Sequence, residues 1–199
     1  MEFGSENFFY TETTDIDLSF LNPMVKRRLS NVDKITLFLL NKCNIDNKNI
    51  KIVYASRFGE LERLIKLINQ YKNDNEVSPN NFGSSVHNSP IGQFCLLNQI
   101  KSGYTSIASE EDTFISGLIY SISLLDKNNV LYCYSDVFED KVQGFSMFLS
   151  NKKNQFKLYE GDFIKDDSKD DFKNFIKFLN GDVEFISKSG LFKIVRNVV

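Results

Sequence analysis

At 199 residues and 23.0 kDa, the chain has the length of one ordinary to large domain, and such a domain buries roughly 70% of the surface its unfolded form exposes. Its 42% apolar and 25% charged residues exclude wholesale disorder. A net charge of −2, with only 5 arginines among 24 basic residues, excludes a chain-wide field for nucleic acid or anionic lipid and is poor in the guanidinium forks that read phosphate.

Taken in chain order, Asn7 to Tyr10 reads as an edge strand. Asn22 before Pro23 is a cap followed by proline, and Val25, Leu29, Val32, Ile35, Leu39 and Leu40 continue at helical spacing to Cys43, predicting one helix across that span. Asn44 to Asn49 reads as a polar turn. Ile50 to Ser56 is a β-rich run, Gly59 frees the backbone for a turn, and Glu60 to Tyr71 is amphipathic, with Leu61, Leu64, Ile65 and Ile68 on one face. Strand, glycine turn and helix make a βα unit. Asn73 to Ser85 reads as loop, Ser89 to Gln99 as helix, and Tyr104 to Ala108 as a short strand.

Ser109 to Asp112 then opens a helix that is apolar nearly all round, from Phe114 to Leu125, so it is expected to be buried on most faces. Val130 to Tyr134 suits the centre of a sheet, with Asp136 following at its end. Beyond it, Gln143–Leu149, Gln155–Leu158, Val183–Ile186 and Leu191–Val195 read as antiparallel strands, with a helix over Ser168–Leu179 among them. The expected fold is α/β, a mixed sheet with helices on both faces plus C-terminal strands, in a single unit over 1–199.

The side-chain inventory narrows the chemistry. Cys43, Cys95 and Cys133 are an odd number with no C-x-x-C pair, which fits buried thiols in a reducing compartment rather than disulfides or a zinc site. With one histidine, His87, no metal centre is expected, and no other cofactor is implied. No apolar run approaches the ~20 residues of a membrane span, and Met1 to Glu6 lack the basic and apolar regions of a signal peptide. A cytoplasmic protein is the expectation.

Several blocks occur in a specific order: Pro23 to Ser30 with Arg27 and Arg28, Ile52 to Leu61 with Ser-Arg-Phe-Gly-Glu, Ser78 to Phe82, Ser85 to Gly92 with Ser-Val-His-Asn, and Tyr104 to Ala108. As an ordered set over about 20–137 they resemble the β-ketoacyl-synthase-like N-terminal domain family, including chain-length-factor-type proteins of aryl polyene and related polyketide or fatty-acid pathways. The C-terminal β-rich stretch, 138–199, is outside that resemblance. The family implies a thiolase-like half-fold, in which a full ketosynthase carries its nucleophilic cysteine at a strand-to-helix elbow, where a helix N-terminus favours the thiolate.

In this chain the elbow falls at Ser109, Glu110 and Glu111, and none of them is cysteine. The second-half histidines of a ketosynthase are missing too. The resemblance therefore implies the fold but not the reaction: a non-catalytic subunit that forms a heterodimer with a full-length ketosynthase and also meets an acyl carrier protein. The alternative is a stand-alone acyl-thioester enzyme or acyl-binding protein using Glu110 or Glu111.

Each candidate also has a plainer reading. Acids at a helix start interact favourably with its dipole, and Ser109 with Asp112 resembles a capping box. His87 and Asn88 either contact ligand or hold a loop against a partner, with Asn88 as helix cap. Arg27 and Arg28 either grip a carrier's phosphopantetheine or acidic helix, or form an exposed basic turn or an ion pair with Glu60 or Asp33. The isolated chain is further expected to expose one large apolar face, where its missing half or a partner would sit.

Overall fold

A computed structural model describes residues 1–43, 50–125 and 129–197. The expected turn at Asn44 to Asn49 lies outside the described residues. The strands are β1 (Glu2–Thr11), β2 (Lys51–Ala55), β3 (Tyr104–Ile107), β4 (Val130–Phe138), β5 (Lys141–Ser150), β6 (Phe156–Glu160), β7 (Glu184–Ile186) and β8 (Phe192–Arg196). The helices are α1 (Pro23–Lys26), α2 (Asn31–Lys42), α3 (Leu61–Asp74), α4 (Pro79–Gly83), α5 (Ser89–Asn98), α6 (Thr113–Ser123) and α7 (Asp171–Leu179).

The strands form one mixed sheet in the order β3-β2-β4-β5-β1-β6-β8-β7. β3, β2 and β4 run parallel, and the pairings from β4 to β7 are antiparallel. Alternation along the strands divides the core between two faces. Val53, Ala55, Tyr132, Phe145 and Met147 point toward α6 and α7, whereas Ile52, Tyr54, Leu131 and Cys133 point toward α2 and α5. Helices therefore cover both faces, as expected. No described helix is long and apolar enough to cross a membrane.

α6 packs tightly on the sheet. A Cβ on its Gly117 would lie 2.7 Å from Ala55 Cβ and 2.8 Å from Tyr132 Cε2, and the Tyr132 hydroxyl donates to the Phe114 carbonyl at 2.6 Å. The apolar periphery seen in the sequence is thus the price of sitting on the centre of the sheet.

Several sequence expectations are corrected. The strand expected over Asn7 to Tyr10 is longer, Glu2–Thr11: its first residues pair with β6 at Glu2 and Phe3, whereas Phe8 to Thr11 are registered against β5 alone. The helix expected from Pro23 to Cys43 is two helices, because Ser30 starts a new one with a capping box, its hydroxyl on the Asp33 N–H and its own N–H on the Asp33 carboxylate. The box expected at Ser109 does not form; Ser109 N–H donates instead to Thr113 Oγ1 at 2.8 Å. α7 begins at Asp171 behind an Asp170 cap rather than at Ser168, and α4 interrupts the expected loop of 73–85, capped by Ser78.

Gly117→Ala should destabilise the protein by about 1–3 kcal/mol, the usual cost of overpacking a core. Gly83→Ala, whose Cβ would meet nothing within 4 Å, should be neutral or mildly stabilising. Urea melts of the two variants beside wild type check both.

Candidate functional site

The site is built around the turn that joins β2 to α3. β4 runs beyond the end of β2, since Ala55 is opposite Tyr134, and this overhang places Asp136 under the turn. Ser56 Oγ donates to Asp136 Oδ1 at 2.6 Å, and the Arg57 and Phe58 N–H groups donate to its two oxygens, each at 3.0 Å. The Gly59 N–H donates to Ser56 Oγ at 2.7 Å, and Gly59 adopts φ +52°. A carboxylate with only 6% of its surface exposed needs such donors, because burial without them is strongly unfavourable.

His87 closes the turn from the other side. Its Nε2 is 2.7 Å from the Ser56 carbonyl; a carbonyl can only accept, so Nε2 carries the proton. A Cβ on Gly59 would sit 2.9 Å from His87 Cδ2, so this glycine is required by space as well as by φ. Asn88 occupies the cap position of α5 without capping it; its side-chain amide donates to the Tyr104 hydroxyl at 2.9 Å, tying α5 to β3.

With its backbone held, the turn presents two side chains. Phe58 stacks on Phe138 at 4.8 Å between ring centroids, and the Arg57 guanidinium lies over Phe58. They form one wall of a cavity of about 400 Å³ that also includes Glu110, Glu111, Tyr134 and Gln143. The C-terminal segment supplies the opposite wall through Asp170, Asp171, Phe172 and Lys188. Tyr134 donates to Gln143, and Gln143 donates to Asp170 at 3.1 Å.

At the elbow, β3 leads into a single 3-10 turn, Glu110–Asp112, before α6. Glu110 adopts φ +46°, a left-handed conformation that is uncommon outside glycine and asparagine. Glu111 forms an ion pair with Lys188 at 2.5 Å, and this hydrogen-bonded ammonium, with Arg57 farther off, holds the carboxyl below its ordinary range. The Lys188 N–H donates to Asp171 Oδ1 at 2.6 Å, and burial pushes the Asp171 carboxyl up to about 6.

No thiol reaches this cavity among the residues that line it. Cys43, Cys95 and Cys133 are all buried, and burial raises each thiol, Cys43 and Cys95 to about 11. Cys133 points to the α2 face of β4, away from α6. Among the described residues, no group of three or more His, Cys, Asp and Glu is arranged to hold a metal ion.

Of the residues singled out in the sequence, Glu110 and Glu111 line the cavity, and Ser109 begins the turn that carries them. His87 and Asn88 stand behind the β2–α3 turn. Arg27 and Arg28 follow α1 as an exposed basic turn, the first of their two plain readings, and the pairs with Glu60 and Asp33 are not theirs. Arg63 makes both, at 3.0 and 2.9 Å. Sequence reasoning missed Lys188, which meets Glu111 across 77 positions, and gave Asp136 no role, although an acid at the end of a central strand was the available signal.

Residues 3–152 match the model of the β-ketoacyl synthase N-terminal domain. The chain belongs to that family. The match takes in β1 and β5, both beyond the span that the motifs covered. A comparison with curated proteins found no match.

Among solved structures, the ketosynthase ApeO in complex with its chain length factor ApeC from Xenorhabdus doucetiae contains a similar chain, with a TM-score of 0.82 and 18% identity over 98% of this chain and 100% of that one. The ishigamide ketosynthase/chain length factor gives 0.63 and 11% over 83% and 59% of the two chains. A type II polyketide acyl carrier protein in complex with its ketosynthase, AntDE:AntF, gives 0.53 and 10% over 74% and 58%. The chain thus spans about three-fifths of the latter two. At these identities the likeness concerns the fold, which is the thiolase-like ketosynthase fold.

Asp136→Ala should cost about 3 kcal/mol or more, because it strands two N–H groups and a hydroxyl that now have a charged acceptor. Asp136→Asn should cost less, since it keeps one acceptor oxygen. Equilibrium denaturation of both variants measures the difference.

Proposed function

We propose that this protein is a non-catalytic, chain-length-factor-type subunit that pairs with a full β-ketoacyl synthase in polyketide or fatty-acid-type biosynthesis. The observation that carries the reading is the junction from β3 into α6, which holds Ser109, Glu110 and Glu111 and no cysteine, with Glu111 held by Lys188; the resemblance takes this junction for the elbow at which a ketosynthase carries its thiolate. Condensation requires a nucleophile and a base. The described cavity lining has neither thiol nor imidazole. A general acid works best with a pKa near the operating pH, and Glu111 is displaced away from it, which argues against Glu111 as that acid.

Pairing has separate support. Among the described residues β3 is the outermost strand at its end of the sheet, which leaves one edge of its backbone available to a partner. On α4, α5 and the segment between them, Phe82, Val86, Leu96 and Leu97 are exposed. On α3, Leu64, Ile65, Ile68 and Tyr71 are exposed as well, and only Leu67 of that helix is buried. The stripe that the sequence placed on one helical face therefore looks outward. Large apolar exposure of this kind marks an interaction surface. Two of the similar structures are described as ketosynthases with their chain length factors, and one as a ketosynthase with its acyl carrier protein. A carrier is accordingly the second proposed partner, with the exposed Arg27 and Arg28 as its candidate contacts.

Co-expression with full ketosynthases tests the reading: a stable one-to-one complex on size exclusion is expected, whereas a lone monomer that turns over acyl-carrier thioesters would overturn it. A thiol-directed condensing-enzyme inhibitor should leave residues 109–111 of the native protein unmodified by intact-mass and peptide mapping.

A further inference from the structure

The junction between α2 and α3 holds two carboxylates and one guanidinium in a nearly dry space. Asp33 and Glu60 are 1% and 3% exposed. Arg63 spans them, donating from Nε to Glu60 Oε2 at 3.0 Å and from Nη2 to Asp33 Oδ2 at 2.9 Å. Ser30 completes the cluster, its hydroxyl donating to Glu60 Oε1 at 2.7 Å and its N–H to Asp33 Oδ2 at 3.0 Å. Asp33 Oδ1 is buried with no hydrogen-bond partner. With both acids ionised the cluster carries one uncompensated negative charge, and burying an unpaired charge is strongly unfavourable.

The cluster matters because α3 has little else to hold it. Only Leu67 among its fourteen residues is buried, and its apolar stripe faces solvent. Its first turn is tied to α2 by Arg63, and the residue just before it, Glu60, is tied by Ser30. We propose that Asp33, Glu60, Arg63 and Ser30 form a proton-controlled anchor for α3, firm when the carboxylate pair holds one proton and loosened when both acids ionise.

Glu60 is the carboxyl that holds the proton: burial, and next the facing Asp33 charge, push it up to about 7, against the opposing effects of Ser30 and Arg63. The charged groups facing it are Asp33 from α2 and Arg63 from α3. Glu62 and Lys66 line the adjacent cleft, and His87 is on the far side of Gly59. Glu60 binds its proton more tightly in the folded anchor than in opened chain, where the ordinary value is 4.5. Stability from this group is therefore full below about 4.5 and is lost as pH rises toward 7, after which it is flat. The consequence for pairing, a docking helix that loosens with rising pH, rests on the reading of the exposed α3 face; the anchor itself does not.

Hydrogen exchange of the intact protein, read as protection factors at pH 5 and pH 8, tests the anchor. α3 should be less protected than α6 throughout, and its protection should fall on the order of tenfold or more between the two pH values. Glu60→Gln should abolish that fall. Asp33→Asn, which removes the facing charge and supplies a donor where Oδ1 has no partner, should shrink it and serves if the first variant folds poorly. Protection of α3 equal to that of α6 at both pH values, or an undiminished fall in the variants, would overturn the proposal. Failure to pair with a ketosynthase would leave these results unchanged and bear only on the function.

Discussion

The buried carboxylate of Asp136 is the interaction on which the rest of the site depends. It lies on the strand that overhangs β2 and accepts from one hydroxyl and two successive backbone N–H groups. The turn from Ser56 to Glu60 takes its shape from these bonds. That shape sets Phe58 on Phe138, turns Arg57 toward the cavity, brings the Ser56 carbonyl to His87 and delivers Glu60 to the α2 cap. A single buried charge thereby couples the central sheet to both the cavity and the base of α3.

The C-terminal segment has a matching part in the geometry. β6, β8 and β7 extend the sheet beyond β1, and α7 packs its phenylalanines against Phe114 and Phe145. The loop between β7 and β8 then brings Lys188 to Glu111. The C-terminal segment thus reaches the start of α6, where Glu111 remains exposed but is paired with the Lys188 ammonium.

Much of the fold was legible because periodicity reports burial. The apolar run Val130 to Tyr134 had to be a central strand, and the all-round apolar pattern after Asp112 had to be a helix buried on most sides; β4 and α6 are both. Legibility failed where several local solutions compete. Ser109 and Ser30 are each followed by an acid three residues on, but only Ser30 precedes a helix that begins at the next residue; at Ser109 a 3-10 turn intervenes and Thr113 takes the N–H. The α3 stripe was visible, whereas its outward direction was not, because a pattern shows which residues share a face and not what that face meets. Long-range pairs such as Lys188 with Glu111 leave no local trace.

On the proposed function, the chain contributes structure rather than chemistry to a condensing pair. The most direct test is the condensation rate of the assembled pair when this chain carries Glu110→Ala and Glu111→Ala together. The account predicts a rate within about twofold of wild type, with assembly retained and all turnover lost when the partner's nucleophilic thiol is removed. A fully assembled pair whose rate collapsed with the elbow variant would place chemistry in this chain and contradict the account.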